Sequence, residues 1–436
     1  MWTLMASYCC LTFAYVEPSL IIDQENVLNG EHVEISVTGL RPGQEIRIKA
    51  ERVQGHQRWK QFFKSEATFT ANSRGKVQLS QDRPTSGTWD SVDATGLFWS
   101  MSATDLPVPE GQSREVVQIS VDFDKDGIFD ATKELRLRRG NDDLIETSLG
   151  DEFPGAFLLH PPSEARLPTV LLLGGSGGHD WAVRITAPML ASRGFAVVGI
   201  PYFSPSSFGP PVFPALPRDF NEIPIDRLEA ILTQLKKNQV VDLDRLAIHG
   251  TSKGAEFALA AAARMDRFKA VVAIVPSDVV WEGFTGAAQA LPSGGSSFSW
   301  RQKPLPFVPM TVLEEAIEKH QISAPLLISK ATRQAIQDSP STFKRARIQV
   351  ENIRCPVLLA GGGQDQVADC GYAAKRIKVT RDKAGNLQTE LYFSEKAGHA
   401  VAGTPYDPTS ASNAALRKIA FPAKITFLKQ YLELAN

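Results

Sequence analysis

One pentapeptide in this chain has the residue types for nucleophilic chemistry: Gly250-Thr251-Ser252-Lys253-Gly254, a G-x-S-x-G pattern. The apolar run Leu246-Ala247-Ile248-His249 before it predicts a strand, and residues 253–265 after it predict a helix. A serine on such a sharp strand-to-helix turn exposes its hydroxyl. Glycines flank it because the turn has no room for β-carbons. The helix amino terminus turns free N–H groups toward developing negative charge, and Lys253, next after the serine, would supply one of them. The plain alternative is a serine that caps an ordinary helix.

A serine hydroxyl attacks only when a base takes its proton. In α/β-hydrolases the order along the chain is Ser, then acid, then His. His399, in Ala397-Gly398-His399-Ala400, is the one histidine after His320 and follows a predicted strand at residues 389–393. It is the expected base. The acid should end a strand between the two. Val357-Leu358-Leu359-Ala360 runs through three glycines and Gln364 into Asp365, which would orient the imidazole; Asp369 is the nearby competitor. A second oxyanion donor is expected from Gly174-Gly175-Ser176-Gly177-Gly178-His179, with Gly175 and Ser176 as donors. This loop lacks the full G-x-G-x-x-G spacing of a dinucleotide fold, and no P-loop ending is present. His249, on the strand itself, is expected to pack or to support the elbow.

The elements around these residues divide the chain in two. Residues 17–145 read as short alternating strands parted by turn residues, such as Val33–Val37, Glu45–Ala50 and Val116–Val121. That pattern predicts an antiparallel β-sandwich. Residues 146–436 alternate buried-type strands with amphipathic helices, among them 169–173, 196–200, 226–237 and 271–275. The expectation is an α/β domain with a mostly parallel sheet and helices on both faces, joined to the first near residues 140–154. Between Ser277 and Arg347 the alternation breaks down, and Pro292–Ser297 and Lys303–Phe307 read as loops. Such an excursion between strands is a candidate lid.

Composition excludes several classes. The 436 residues hold 47 basic and 48 acidic side chains, a formal net charge of −1, with 43% hydrophobic and 22% charged residues. A disordered chain and a polytopic membrane protein are ruled out, and a nucleic-acid partner is not expected. The four cysteines, Cys9, Cys10, Cys355 and Cys370, form no CxxC pair, so neither a zinc site nor a disulfide scaffold is expected. Residues 1–16 are an uncharged apolar extension and a candidate signal peptide without a basic leader. The expected compartment is cytoplasmic, or exported if residues 1–14 are removed.

Asp122-Phe123-Asp124-Lys125-Asp126-Gly127 opens like a calcium-binding loop, with Asp130 at the ninth position. The twelfth position is Lys133 rather than Glu, and the surroundings are β-patterned. A solvated hairpin turn is therefore the expectation, with calcium as the alternative.

Four segments together resemble a known family: Ala94-Thr95-Gly96-Leu97-Phe98-Trp99-Ser100-Met101, the Gly174–Gly178 loop, Gly250-Thr251-Ser252-Lys253-Gly254-Ala255-Glu256, and Ala397-Gly398-His399. They are similar to the acyl-CoA thioester hydrolase and bile acid-CoA:amino acid N-acyltransferase family, from about Pro18 to the end. The resemblance implies a β-sandwich followed by an α/β-hydrolase domain. It also implies a triad of Ser252, Asp365 and His399, with no cofactor and no catalytic metal. The implied substrate is a small acyl thioester or ester, and the implied reaction is acyl-CoA hydrolysis through an acyl-serine. Conjugating members of the family tend to carry Cys as nucleophile, so Ser252 leans toward hydrolysis. N-acyl transfer to an amino acid and carboxylester or dienelactone hydrolysis are the alternatives.

Overall fold

The computed structural model describes residues 17–54, 61–108, 113–177, 181–204, 212–285, 291–385 and 388–433, with backbone only at residues 181 and 182. The apolar extension 1–16 lies outside them. The chain divides into two compact units. One takes the described residues up to Val27 with Glu31–Leu137; the other takes Leu28–Gly30 with the chain from Arg138 onward.

The first unit is built from antiparallel sheets. Ser19–Ile22, Ile35–Thr38 and Val77–Gln78 form one. In the other, Ala131–Arg138 lies beside Val116–Asp122, then Glu45–Gln54, then Gln61–Thr70. Burial along Glu45–Gln54 alternates, with Ile46, Ile48 and Ala50 wholly buried. Side chains on a strand point to opposite faces in turn, so alternate apolar residues give one face to a core.

The second unit carries an eight-stranded sheet. Its strands are β1 (Ile145–Ser148), β2 (Phe157–His160), β3 (Leu167–Leu173), β4 (Ala196–Gly199), β5 (Val241–Thr251), β6 (Ala270–Ile274), β7 (Val357–Gly362) and β8 (Thr389–Ser394). Their spatial order is β1-β2-β4-β3-β5-β6-β7-β8. The β1–β2 and β2–β4 pairs are antiparallel; every later neighbour is parallel. Period two separates two cores. Leu171, Ile248, Val271 and Leu359 pack with Leu228, Ile231 and Phe257 from the helices Arg227–Leu235 and Lys253–Ala262 on one face. Val170, Ala247, Val272 and Leu358 pack with Val183, Leu416 and Phe427 from the helices Trp181–Ala191 and Ala411–Tyr431 on the other. Covering both faces explains why these strands read as unbroken apolar runs. This is an α/β-hydrolase domain. Among the described residues, no helix is long and apolar enough to cross a membrane.

Two local expectations need correction. The helix after Ser252 ends at Ala262, short of Met265. The segments around Pro292–Ser297 and Lys303–Phe307 are not plain loops: Pro292–Ser296 pairs with Glu282–Phe284, and Phe298–Trp300 pairs with Lys303–Pro304. Pro and Gly signal turns locally, but pairing to a distant strand overrides that signal. Three helices complete the excursion: Thr311–His320, Leu327–Asp338 and Pro340–Ala346.

Candidate active site

Ser252 stands between β5 and the helix Lys253–Ala262 with φ 56° and ψ −121°, a backbone conformation costly for a residue with a β-carbon. The two glycines make the turn sterically feasible. A β-carbon at Gly250 would overlap the Gly254 carbonyl oxygen, and one at Gly254 would overlap the Gly174 carbonyl oxygen. The Ser252 amide is anchored to the Ile274 carbonyl at 2.8 Å, and its own carbonyl accepts from Ala255 and Glu256. Lys253 N is at the first helical position, where an amide has no acceptor within its own helix.

The glycine loop leaves the end of β3 beside this turn. A β-carbon at Gly175 would lie 3.3 Å from Ser252 Cβ, so Gly175 lies directly against the serine, while Ser176 is exposed. Gly178 and His179 lie outside the described residues. A residue not foreseen from sequence sets the loop's orientation: buried Tyr202 donates its hydroxyl to the Gly174 carbonyl at 2.6 Å. The 174–175 peptide is planar, so fixing its carbonyl also fixes the direction of the Gly175 N–H. Burial, with a smaller contribution from the Glu256 charge, pushes the Tyr202 phenol well above its ordinary value and keeps it a donor.

Asp365 follows β7 and is 1% exposed. Its Oδ2 meets His399 Nδ1 at 2.8 Å, and its Oδ1 accepts from the Val367 and Ala368 amides at 2.9 and 3.1 Å. The residues expected as acid and base are thus brought together. Asp369 is committed elsewhere, to Arg333 and Arg376 at 2.9 Å each. His399 begins a short 3-10 turn whose approach is held by Gly398 N donating to Asn413 Oδ1 at 2.7 Å. The thiol of Cys370 lies 3.9 Å from the same Nδ1. Burial, and then the Asp365 carboxylate, push that thiol well above the ordinary cysteine value, so it stays protonated.

Among the described residues His399 bonds only through Nδ1, which leaves Nε2 free. No hydrogen bond joins it to Ser252. Thr251 lies opposite Ile274 and Ile274 opposite Ala360, so β5 and β7, which lead to Ser252 and to the Asp365 loop, end at the same end of the sheet two strands apart, a strand spacing of roughly 9–10 Å. His249 is 1% exposed with neither ring nitrogen partnered, and burial holds it neutral. It lines a cavity with Thr251, Arg417 and Lys424.

The Lys253 side chain has a role that its position in the pentapeptide does not reveal. Its ammonium sits 3.0 and 2.9 Å from the two Glu256 oxygens and 2.7 Å from Ser297 Oγ, over the rings of Phe220 and Phe298. Glu256 also accepts from Trp281 N at 3.1 Å. Burial draws Lys253 below the ordinary lysine value and pushes Glu256 above the ordinary carboxyl value, each opposed by the partner's charge. The pair ties the helix Lys253–Ala262 to the 277–347 excursion. Glu256→Gln would strand a buried ammonium; a loss of about 3–5 kcal/mol is expected, read as a Tm fall of roughly 5–12 °C. The double variant Lys253→Met/Glu256→Leu should recover most of it. A single variant as stable as wild type would show the pair to be dispensable.

The chain is similar to known proteins along most of its length. A family model described as the acyl-CoA thioester hydrolase/BAAT N-terminal region matches residues 30–131, and one described as the BAAT/acyl-CoA thioester hydrolase C terminal matches residues 226–422. Mouse acyl-coenzyme A thioesterase 1 is 24% identical over 394 residues, covering 87% of this chain and 84% of the relative. Mouse acyl-coenzyme A amino acid N-acyltransferases 2 and 1 are 25% and 26% identical over 402 residues, covering 89% of this chain and 87% of each relative.

Proposed function

Because the chain belongs to the acyl-CoA thioester hydrolase/BAAT family, we propose that it cleaves acyl-CoA thioesters to free acid and CoA through an acyl-serine. The observation that carries this reading is the 2.8 Å Asp365–His399 contact at the end of a strand two places from the one that ends in the strained elbow of Ser252. His399 Nε2 takes the Ser252 Oγ proton as Oγ attacks the thioester carbonyl carbon. The amides of Lys253 and Gly175, with Ser176 next to it, receive the oxyanion. Collapse breaks the carbon–sulfur bond, and the imidazolium returns its proton to the sulfur. Water, deprotonated by the same nitrogen, then releases the acid and regenerates the serine. Asp365 holds the ring in the required tautomer. In this reading residues 277–347 cover the acyl chain.

A second reading is acyl transfer to an amino acid, because N-acyltransferases stand among the relatives. The test is a screen of acyl-CoAs of graded chain length against p-nitrophenyl esters, with and without glycine or taurine. Free acid is expected as the main product at a CoA-release rate indifferent to the amino acid. A dominant amide would establish transfer instead. A kcat/KM for simple esters above that for every acyl-CoA would remove CoA from the reading.

A further inference from the structure

The hairpin between Val116–Asp122 and Ala131–Arg138 closes through residues 123–130, with Val121 opposite Ala131. Its loop gathers negative charge that the proposed reaction does not use. Asp122, Asp124 and Asp130 each bring a carboxylate oxygen there, all within 4.8 Å of one another. Charges of one sign so close repel, and a merely solvated turn would spread them.

Asp122 differs from an ordinary turn residue because it is 0% exposed. Its Oδ2 accepts from Arg47 Nη2 at 2.9 Å and from Gly127 N at 3.1 Å. Its Oδ1 is buried and has no hydrogen-bond partner. A buried carboxylate oxygen without a partner is costly, and native structures satisfy such atoms with water or an ion when no protein donor reaches them.

We propose that the carboxylates of Asp122, Asp124 and Asp130 hold a calcium ion in this loop. One calcium ion takes roughly six to eight oxygens at about 2.3–2.6 Å, so two of its ligands can stand up to about 4.8 Å apart, the span of this cluster. Donors that are all carboxylate oxygen suit a hard cation rather than zinc or copper. A flexible loop rich in carboxylates suits calcium better than magnesium, which demands near-octahedral geometry and keeps most of its water. Neither nearby cation takes the ion's place: Arg47 sits on Oδ2, and Lys125 is paired with Glu45 at 2.8 Å. Gly127, at φ 98°, makes the sharp turn that points its amide at Asp122 Oδ2. Water and loop carbonyls complete the shell. A hairpin closes the loop where a calcium-binding helix pair would place a twelfth-position glutamate, so affinity at the weaker end of the known range is expected.

The test uses the full chain freed of metal with a chelator. Calorimetric titration with CaCl2 is expected to show one ion per chain with a Kd of roughly 10⁻⁵–10⁻³ M, and saturating calcium should raise Tm by roughly 2–5 °C. Equal MgCl2 should do much less. Asp124→Asn and Asp130→Asn should each weaken binding at least about tenfold. Wild-type protein giving neither heat nor a Tm shift at about 10 mM CaCl2 would overturn the site. So would calcium binding left unchanged by both substitutions.

Discussion

Ser252→Ala is expected to lower kcat by roughly 10⁴- to 10⁶-fold, the scale on which a catalytic serine is worth its place. Residual turnover would come from the amides of Lys253 and Gly175, which the substitution leaves in position. Stability should barely move. Alanine at φ 56° bears the same backbone cost as serine, and the anchor from the residue 252 amide to Ile274 does not involve the side chain. A fluorophosphonate probe should label the wild type at this residue and fail to label the variant. Near-normal turnover, or labelling that survives the change, would remove Ser252 from the chemistry and the acyl-serine with it.

Asp365→Asn should cost roughly 10³- to 10⁴-fold in kcat with KM little changed. An asparagine of the same shape can still accept from Val367 and Ala368, but it offers an amide to His399 Nδ1 where a carboxylate now accepts at 2.8 Å. The ring would then present the wrong tautomer to the serine. Asp369→Asn is the internal comparison. That residue braces Arg333 and Arg376, so its loss should lower Tm while kcat falls by less than about tenfold. Reversal of the two kinetic effects would exchange the roles of these aspartates.

How much of this was legible beforehand follows from where each partner sits in the chain. The elbow could be read because its steric demand is local: Gly250 and Gly254 lie within two residues of the serine they accommodate. The fold could be read because strands covered on both faces become unbroken apolar runs. Asp365 and His399 could be read only through chain order and strand ends, and the contact itself is a tertiary fact. Tyr202, Ser297 and Ser329 left no trace, because each acts on a residue far away in sequence. Ser329 donates to the carbonyls of Asp365 and Ala368, and nothing near it announces that. Lys253 was visible only as an amide, since its ammonium finds Ser297 through a strand pairing that the glycines and prolines concealed.

The excursion between β6 and β7 is fastened to the machinery at several points: Ser297 to Lys253, Trp281 to Glu256, Ser329 to the acid loop. Anyone retuning this enzyme by grafting that stretch from a relative would therefore transplant braces along with the walls. A graft chosen only for the shape of its cavity would dull the chemistry while changing the taste for substrate. One that carried matching residues at 253, 256, 297 and 329 would let the two traits be inherited separately.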